Sequence, residues 1–295
     1  MRILVLGAGA IGGYFGGRLA QAGADVAFLV RPKRREQLER DGLVVTSPKG
    51  DFKLPVKTVS AAELGAGYDL VLFTCKAYDL DSAMDAIAPA MDGKAAVVPM
   101  LNGMAHMERL DARFGSSQVV GGTCHINVML KPDGTIWHGD PLHNILFGER
   151  VQSASKRLAE LADAVKRAGL GGGLSEDIEQ EMWEKVAFLC ALASTTTLFR
   201  ANVREIIASP GGRETMERAY AANCAIARAE GHAPRAIAIE RAMQRLTDPA
   251  GLWSASMLRD LEAGGQVEAD HIVGWMLERA RRHRLDDSIL STAYT

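Results

Sequence analysis

The sequence predicts a chain in two parts, a doubly wound parallel α/β domain followed by an all-α domain. Three observations carry that prediction. The first 31 residues read as strand, glycine turn, helix, strand. Apolar runs then alternate with helix-like stretches as far as Phe147, as in a parallel sheet with helical crossovers. Beyond Ser175 the β-branched runs give out and helical periodicity takes over.

The elements follow in order. Arg2 to Leu6 is a short apolar strand, and Gly7-Ala8-Gly9-Ala10-Ile11-Gly12 opens a helix directly behind it. Val26 to Val30 is a second strand, ending at Arg31. A G-x-G-x-x-G turn in this frame is the Rossmann-like signature of dinucleotide binding. Gly7 permits the tight turn, Gly9 lets backbone approach a pyrophosphate, and Gly12 lets helix pack against strand. Ala10 and Ile11 begin the helix, whose unpaired N–H groups and partial positive charge suit phosphate. An NAD site usually carries an acid at the end of the second strand. Here Arg31 stands there, followed by Lys33, Arg34 and Arg35. A guanidinium binds a 2′-phosphate through two parallel hydrogen bonds, so the expected cofactor is NADP(H). Lys33 and Arg34 read equally well as a solvated basic turn. Asp25, the nearest acid, lies at the wrong end of the strand.

Leu43 to Val56 alternates around Pro48-Lys49-Gly50 and predicts a hairpin. Tyr68 to Cys75 and Ala95 to Met100 are buried-strand runs, with a helix over Leu80 to Met91 between them. Val119 to Leu130 and Thr135 to Phe147 predict further strands, joined by the turn Lys131-Pro132-Asp133-Gly134. A helix over Ala154 to Ala168 precedes Gly171-Gly172-Gly173, which reads as a flexible joint. The expected division is a cofactor domain over 1–174 and a helical substrate and dimerisation domain over 175–295. Its candidate helices are Glu179 to Ala193, Gly212 to Glu230, Pro234 to Leu246, Ser254 to Leu261 and Val267 to Arg284.

At 295 residues there is room for two cores, and a net charge of −2 creates no field to recruit nucleic acid or an anionic membrane. The N-terminus enters strand one without a signal peptide, and no apolar run approaches the roughly 20 residues that span a bilayer. Cys75, Cys124, Cys190 and Cys224 form no C-x-x-C pair and read as reduced thiols of a cytoplasmic protein. The seven histidines show no metal-ligand spacing, so no metal is expected. His125, His138 and His143 read as surface or packing residues.

Candidate chemistry lies at strand ends in the first half and on helices in the second. Lys76 follows the strand ending at Cys75, and Asn102-Gly103 follows the next strand. Lys185 sits beside the apolar stripe Met182, Val186 and Leu189; Ser256 and Glu268 stand near predicted helix starts. Each has a bland explanation as well: a solvated lysine for Lys76 and Lys185, the left-handed residue of a turn for Asn102, a helix cap for Ser256 and a dipole acid for Glu268. No Ser-His-Asp or Cys-His arrangement is legible.

Together these residues resemble the ketopantoate reductase (2-dehydropantoate 2-reductase) family over essentially the whole chain. The resemblance rests on the glycine motif, Arg31, Lys76, Asn102-Gly103, the Trp-x-Lys of Trp183 to Lys185, the Ser-Met-x-x-Asp of Ser256 to Asp260, and Glu268. It implies NADPH-dependent reduction of a 2-oxo acid to a 2-hydroxy acid, by default 2-dehydropantoate to pantoate in pantothenate biosynthesis. Arg31 would bind the 2′-phosphate. Lys76 and Asn102 would line the nicotinamide end and touch substrate. Lys185 would be the general acid, Ser256 would hold the substrate carboxylate, and Glu268 would orient substrate and lysine. The sequence departs from the family one and two turns after the lysine, where asparagines are replaced by Leu189 and Ala193, and at Trp253, three before Ser256. Lost amides remove hydrogen bonds to a hydroxylated substrate, so a more apolar 2-oxo acid is a rival. An opine- or β-hydroxyacid-type dehydrogenase is a second rival, and a non-catalytic NADP(H)-binding regulator a third. Leu198, Phe199, Ile206 and Ile207 could supply a homodimer interface or could be core.

Overall fold

The computed structural model describes residues 1–150 and 155–295. The chain forms two compact units, Met1–Leu101 with Met107–Ile178, and Asn102–His106 with Glu179–Thr295.

The first unit is built on a parallel sheet. β1 (Arg2–Leu6) leads through α1 (Ala10–Gln21) to β2 (Asp25–Leu29), and α2 (Pro32–Asp41) follows. After β3 (Leu43–Thr46) and β4 (Phe52–Leu54) come β5 (Lys57–Val59), β6 (Leu70–Phe73), α3 (Leu80–Ile87) and β7 (Ala96–Pro99). The sheet order is β5-β2-β1-β6-β7, parallel throughout, with Ile3 in register with both Val26 and Leu70. Ile3, Leu4, Val5, Leu70 and Val71 are fully buried, which is why these strands read as unbroken apolar runs rather than alternating ones. The chain winds outward from β1 to β5, then returns to β6 and β7 on the other side. Strand order therefore reverses between β1 and β6, where α/β sheets bind ligands at strand C-terminal ends. The glycine turn and Lys76 follow those two strand ends.

The expected hairpin exists as β3 and β4, with Leu43 opposite Leu54. It belongs to a second sheet, which the sequence did not separate from the first. α4 (Ala105–Phe114) leads to β8 (Gly121–Leu130) and β9 (Ile136–Gly148), and α5 (Lys156–Arg167) to β10 (Gly171–Leu174). Their order is β10-β9-β3-β4, with β8 antiparallel on β9. Ala154, the expected first residue of the α5 helix, lies outside the described residues. The glycine joint requires correction. Gly171, Gly172 and Gly173 form a strand parallel to β9, in register with Asn144, Ile145 and Leu146. A Cβ on Gly172, whose φ is +87°, would strike the Ile145 carbonyl. The glycines serve close backbone approach rather than a hinge.

The second unit is helical. α6 (Ile178–Phe199) outruns its expected end at Ala193. The buried hydroxyls of Ser194, Thr195 and Thr196 donate back to the carbonyls of Cys190, Ala191 and Leu192 at 2.7, 2.7 and 2.6 Å, so three β-branched or polar residues stay helical. α7 (Val203–Ala208) was not anticipated. Its capping box joins Asn202 and Glu205. α8 (Gly212–Ala229), α9 (Ala236–Leu246) and α10 (Ser256–Glu262) follow. The last long helix begins as a π turn, Asp270–Gly274, and continues as α11 (Trp275–Arg282) before α12 (Ser288–Tyr294). Ile206 is core, whereas Leu198 and Phe199 are exposed.

Candidate active site

The glycine turn has the geometry of a phosphate cradle. Gly7 adopts φ +85° and donates to the Leu29 carbonyl at 2.9 Å. Nothing lies within 4 Å of where a Cβ on Gly9 would be. The first N–H groups of α1 have no capping side chain and no acid in the first turn. Gly12 is different: a Cβ there would meet the Gly7 carbonyl and the Thr74 hydroxyl. That hydroxyl donates to the Leu6 carbonyl at 2.7 Å and ties the end of β6 to the turn. Lys76 follows, partly exposed, just before a 3₁₀ turn.

The basic run divides differently from the expectation. Arg31 is exposed, its Nη2 3.4 Å from Asp79 Oδ1, so an acid stands beside it after all, delivered from the turn after β6. Arg34 is not a solvated turn residue. Its Nε donates to the Ala8 carbonyl at 3.0 Å, inside the glycine turn, and its Nη1 to the Gly134 carbonyl at 3.0 Å. Burial lowers its guanidinium from the usual arginine range. His138 and His143 are core residues. Tyr14 Oη and His143 Nδ1 lie 2.9 Å apart, and Ser47 Oγ and His138 Nδ1 2.8 Å apart.

In the helical unit, four segments carrying candidate residues are joined. Glu184, next to Lys185, receives Arg235 Nη2 at 2.6 Å, which fixes the rotation of α6 and hence the side from which partly buried Lys185 projects. Farther along α6, Thr196 Oγ1 accepts from the backbone N–H of Ala255 at 3.3 Å, beside Ser256. Ser256 is the first helical residue of α10 and Ala255 its cap, so the capping explanation for this serine is removed. Cys190 Sγ contacts the Ile272 carbonyl at 3.8 Å, linking α6 to the π turn. Glu268 stands just before that turn and is only 6 % exposed, which argues against an acid kept merely for a helix dipole. The Asn102–His106 segment meets the same turn. Gly103, rather than Asn102, takes the positive φ, +77°, and a Cβ on it would lie 2.7 Å from the His271 carbonyl. His106 and His271, both buried, are 3.1 Å apart through Nδ1 and Nε2.

Of the substituted positions, Leu189 is partly exposed and Ala193 fully buried. Trp253 donates its indole N–H to the Arg245 carbonyl at 3.2 Å, and the Arg245 guanidinium lies 5.5 Å from the Phe188 ring. Sequence reasoning missed Arg34, Asp79, His106 and His271. Their only signal was the adjacency of the histidines to Asn102 and Glu268.

Comparison with known proteins decides the family. The ketopantoate reductase PanE/ApbA model matches residues 3–152, and its C-terminal counterpart matches residues 177–295. The chain belongs to the ketopantoate reductase family. It is 37% identical to an uncharacterised oxidoreductase of Bacillus subtilis, covering 100% of this chain and 97% of that one. It is 29% identical to the 2-dehydropantoate 2-reductase of Mesorhizobium japonicum, over 95% of this chain and 92% of the relative. The 2-dehydropantoate 2-reductase structure from Geobacter metallireducens superposes with a TM-score of 0.90 at 27% identity, covering 100% and 98% of the two chains. D-mandelate dehydrogenase with NADH and anilino(oxo)acetate shares the fold, with a TM-score of 0.87 at 20% identity and 100% and 96% coverage. This family member is an oxidoreductase of CH–OH groups that uses a nicotinamide dinucleotide. Among the described residues, no helix is long and apolar enough to cross a membrane and no side-chain group has the makeup of a metal site.

Proposed function

We propose that the protein reduces a 2-oxo acid to a 2-hydroxy acid with NADPH, with 2-dehydropantoate the default substrate and pantothenate biosynthesis the setting. The observation that carries this reading is the buried Glu268 carboxylate, at the head of a turn tied to the Lys185 helix and to the Asn102 loop. A carboxylate kept from water needs a charged or hydrogen-bonding role, and orienting an acid and its substrate is one.

The division of labour we propose is cofactor binding over residues 1–174 and substrate binding over 175–295, with Asn102 serving both. Gly7, Gly9, Ala10, Ile11 and Gly12 fit a pyrophosphate, since the Gly9 face is open and the helix start is uncapped. Arg31 fits a 2′-phosphate. Held by the glycine turn and Arg31, a dinucleotide would supply the hydride for the carbonyl carbon. Ser256 holds the substrate carboxylate, and Lys76 and Asn102 hold the reacting end. Negative charge grows on the carbonyl oxygen as it is reduced. The Lys185 ammonium stabilises that charge and donates the proton that completes the hydroxyl. Glu268 keeps lysine and substrate aligned. The four cysteines form no disulfide with one another, which accords with a cytoplasmic setting.

A second reading concerns substrate. Leu189 and Ala193 carry no amide, which favours a 2-oxo acid more apolar than 2-dehydropantoate. The test is NADPH oxidation across a panel of 2-oxo acids, with Lys185→Ala as control. The expected loss in kcat for Lys185→Ala is on the order of 10²–10⁴-fold. Unchanged turnover in that variant would refute the mechanism, and the preferred acid decides between the two substrates.

A further inference from the structure

We infer that His106 and His271 form a buried latch that sets Asn102 against Glu268, making both histidines positioning residues for the reductase reaction. The inference rests on the reading above. The rings lie nearly parallel, at 15°, with centroids 5.4 Å apart, and their facing nitrogens are at hydrogen-bonding distance. One ring donates and the other accepts, so the contact has a direction as well as a length. His106 is fully buried and His271 is 9% exposed, where a hydrogen bond faces little competition from water.

The latch stands between two functional segments. His106 follows Asn102 by four residues, and His271 follows Glu268 by three. A second fastening lies beside it. Gly103, at φ +77°, presses against the His271 backbone so closely that any side chain there would collide with the His271 carbonyl. The same turn contacts α6 through Cys190 and Ile272. Segments bearing Asn102, Lys185 and Glu268 thus all meet at Asp270–Gly274. That turn is π-helical, a rare geometry found frequently at functional sites. Displacing a proton donor or its partner by about 1 Å costs roughly 100-fold in rate, so holding these segments together is a catalytic requirement.

The test compares His106→Phe, His271→Phe, their double variant, His271→Gln and Lys185→Ala. Activity is read as NADPH oxidation with the best 2-oxo acid of the panel. Each Phe variant should lose about 10–100-fold in kcat while the KM for NADPH changes by less than about 2-fold. The double variant should be no worse than either single one, because both break one contact. His271→Gln, whose amide reaches a similar position, should recover most of kcat. Independently, amide hydrogen exchange over residues 102–106 should accelerate in His271→Phe, whose substitution lies far away in the chain. Losses that multiply in the double variant, an NADPH KM that rises as kcat falls, or unchanged exchange over 102–106 would overturn the latch. Full activity in Lys185→Ala would instead refute the assigned proton donor, and no turnover of any 2-oxo acid by the wild type would refute the reductase reading; the exchange result would still judge the latch.

Discussion

Arg31 and Arg34 lie three residues apart and stand in different surroundings beside the proposed cofactor site. Arg31 is exposed and paired at 3.4 Å with Asp79, a contact that water and salt screen. Arg34 is half-buried, its Nε held by the Ala8 carbonyl. Arg31→Ala should therefore raise the KM for NADPH by about 10–100-fold, the worth of two charge-assisted hydrogen bonds, and leave that for NADH unchanged. Arg34→Gln should weaken NADPH and NADH alike, because the pyrophosphate cradle is common to both. Steady-state kinetics with the two cofactors separates these outcomes. A run of four basic side chains looks uniformly solvated in sequence. Only the packing of α2 against the glycine turn tells them apart. His143 gives a second residue-scale prediction. Burial, with Lys49, His138 and Arg18 nearby, lowers its pKa from 6.5 to about 4, so the fold holds it neutral. Its contribution to stability is complete above pH about 6.5 and is lost as pH falls toward 4, because the unfolded chain takes up the proton first. His143→Gln, which can still accept from the Tyr14 hydroxyl, should flatten that part of a melting-temperature profile recorded between pH 7.5 and 4.

At the scale of elements, the sheet strands around the glycine turn were legible because burial on both faces leaves an unbroken apolar run. β10 was not. Three glycines carry no side-chain pattern, and a strand without pattern is recognised only through its partner, β9. Gly172→Ala tests this. A Cβ forced against the Ile145 carbonyl at positive φ should cost about 1–3 kcal/mol in urea unfolding, with cofactor binding intact in the folded protein. A flexible joint would tolerate the change. The π turn was hidden for a related reason. Helical periodicity over Val267 to Arg284 is continuous in sequence, and the altered hydrogen bonding depends on what packs against it.

Across the whole molecule, the proposed division between a cofactor unit and a substrate unit predicts separable defects. Lys185→Ala should abolish most turnover while leaving NADPH affinity, measured by fluorescence titration, within about 2-fold of wild type. Arg31→Ala should do the reverse, with kcat largely retained at saturating NADPH. The glycine turn and the dinucleotide class it implies were readable from residue order, because local steric and hydrogen-bonding rules act within a turn or two of chain; Lys76, Asn102, Lys185, Ser256 and Glu268 stood out only through the resemblance to the family, and their roles are proposals. The second sheet, the contact of Arg34 with Ala8, the approach of Asp79 to Arg31, and the meeting of the Asn102 loop with the Glu268 turn were not readable from the sequence. These contacts join residues far apart in sequence, 165 positions in the case of His106 and His271. Only tertiary packing brings such segments together, and where it excludes water, as at His106 and His271, it favours polar groups that find a partner.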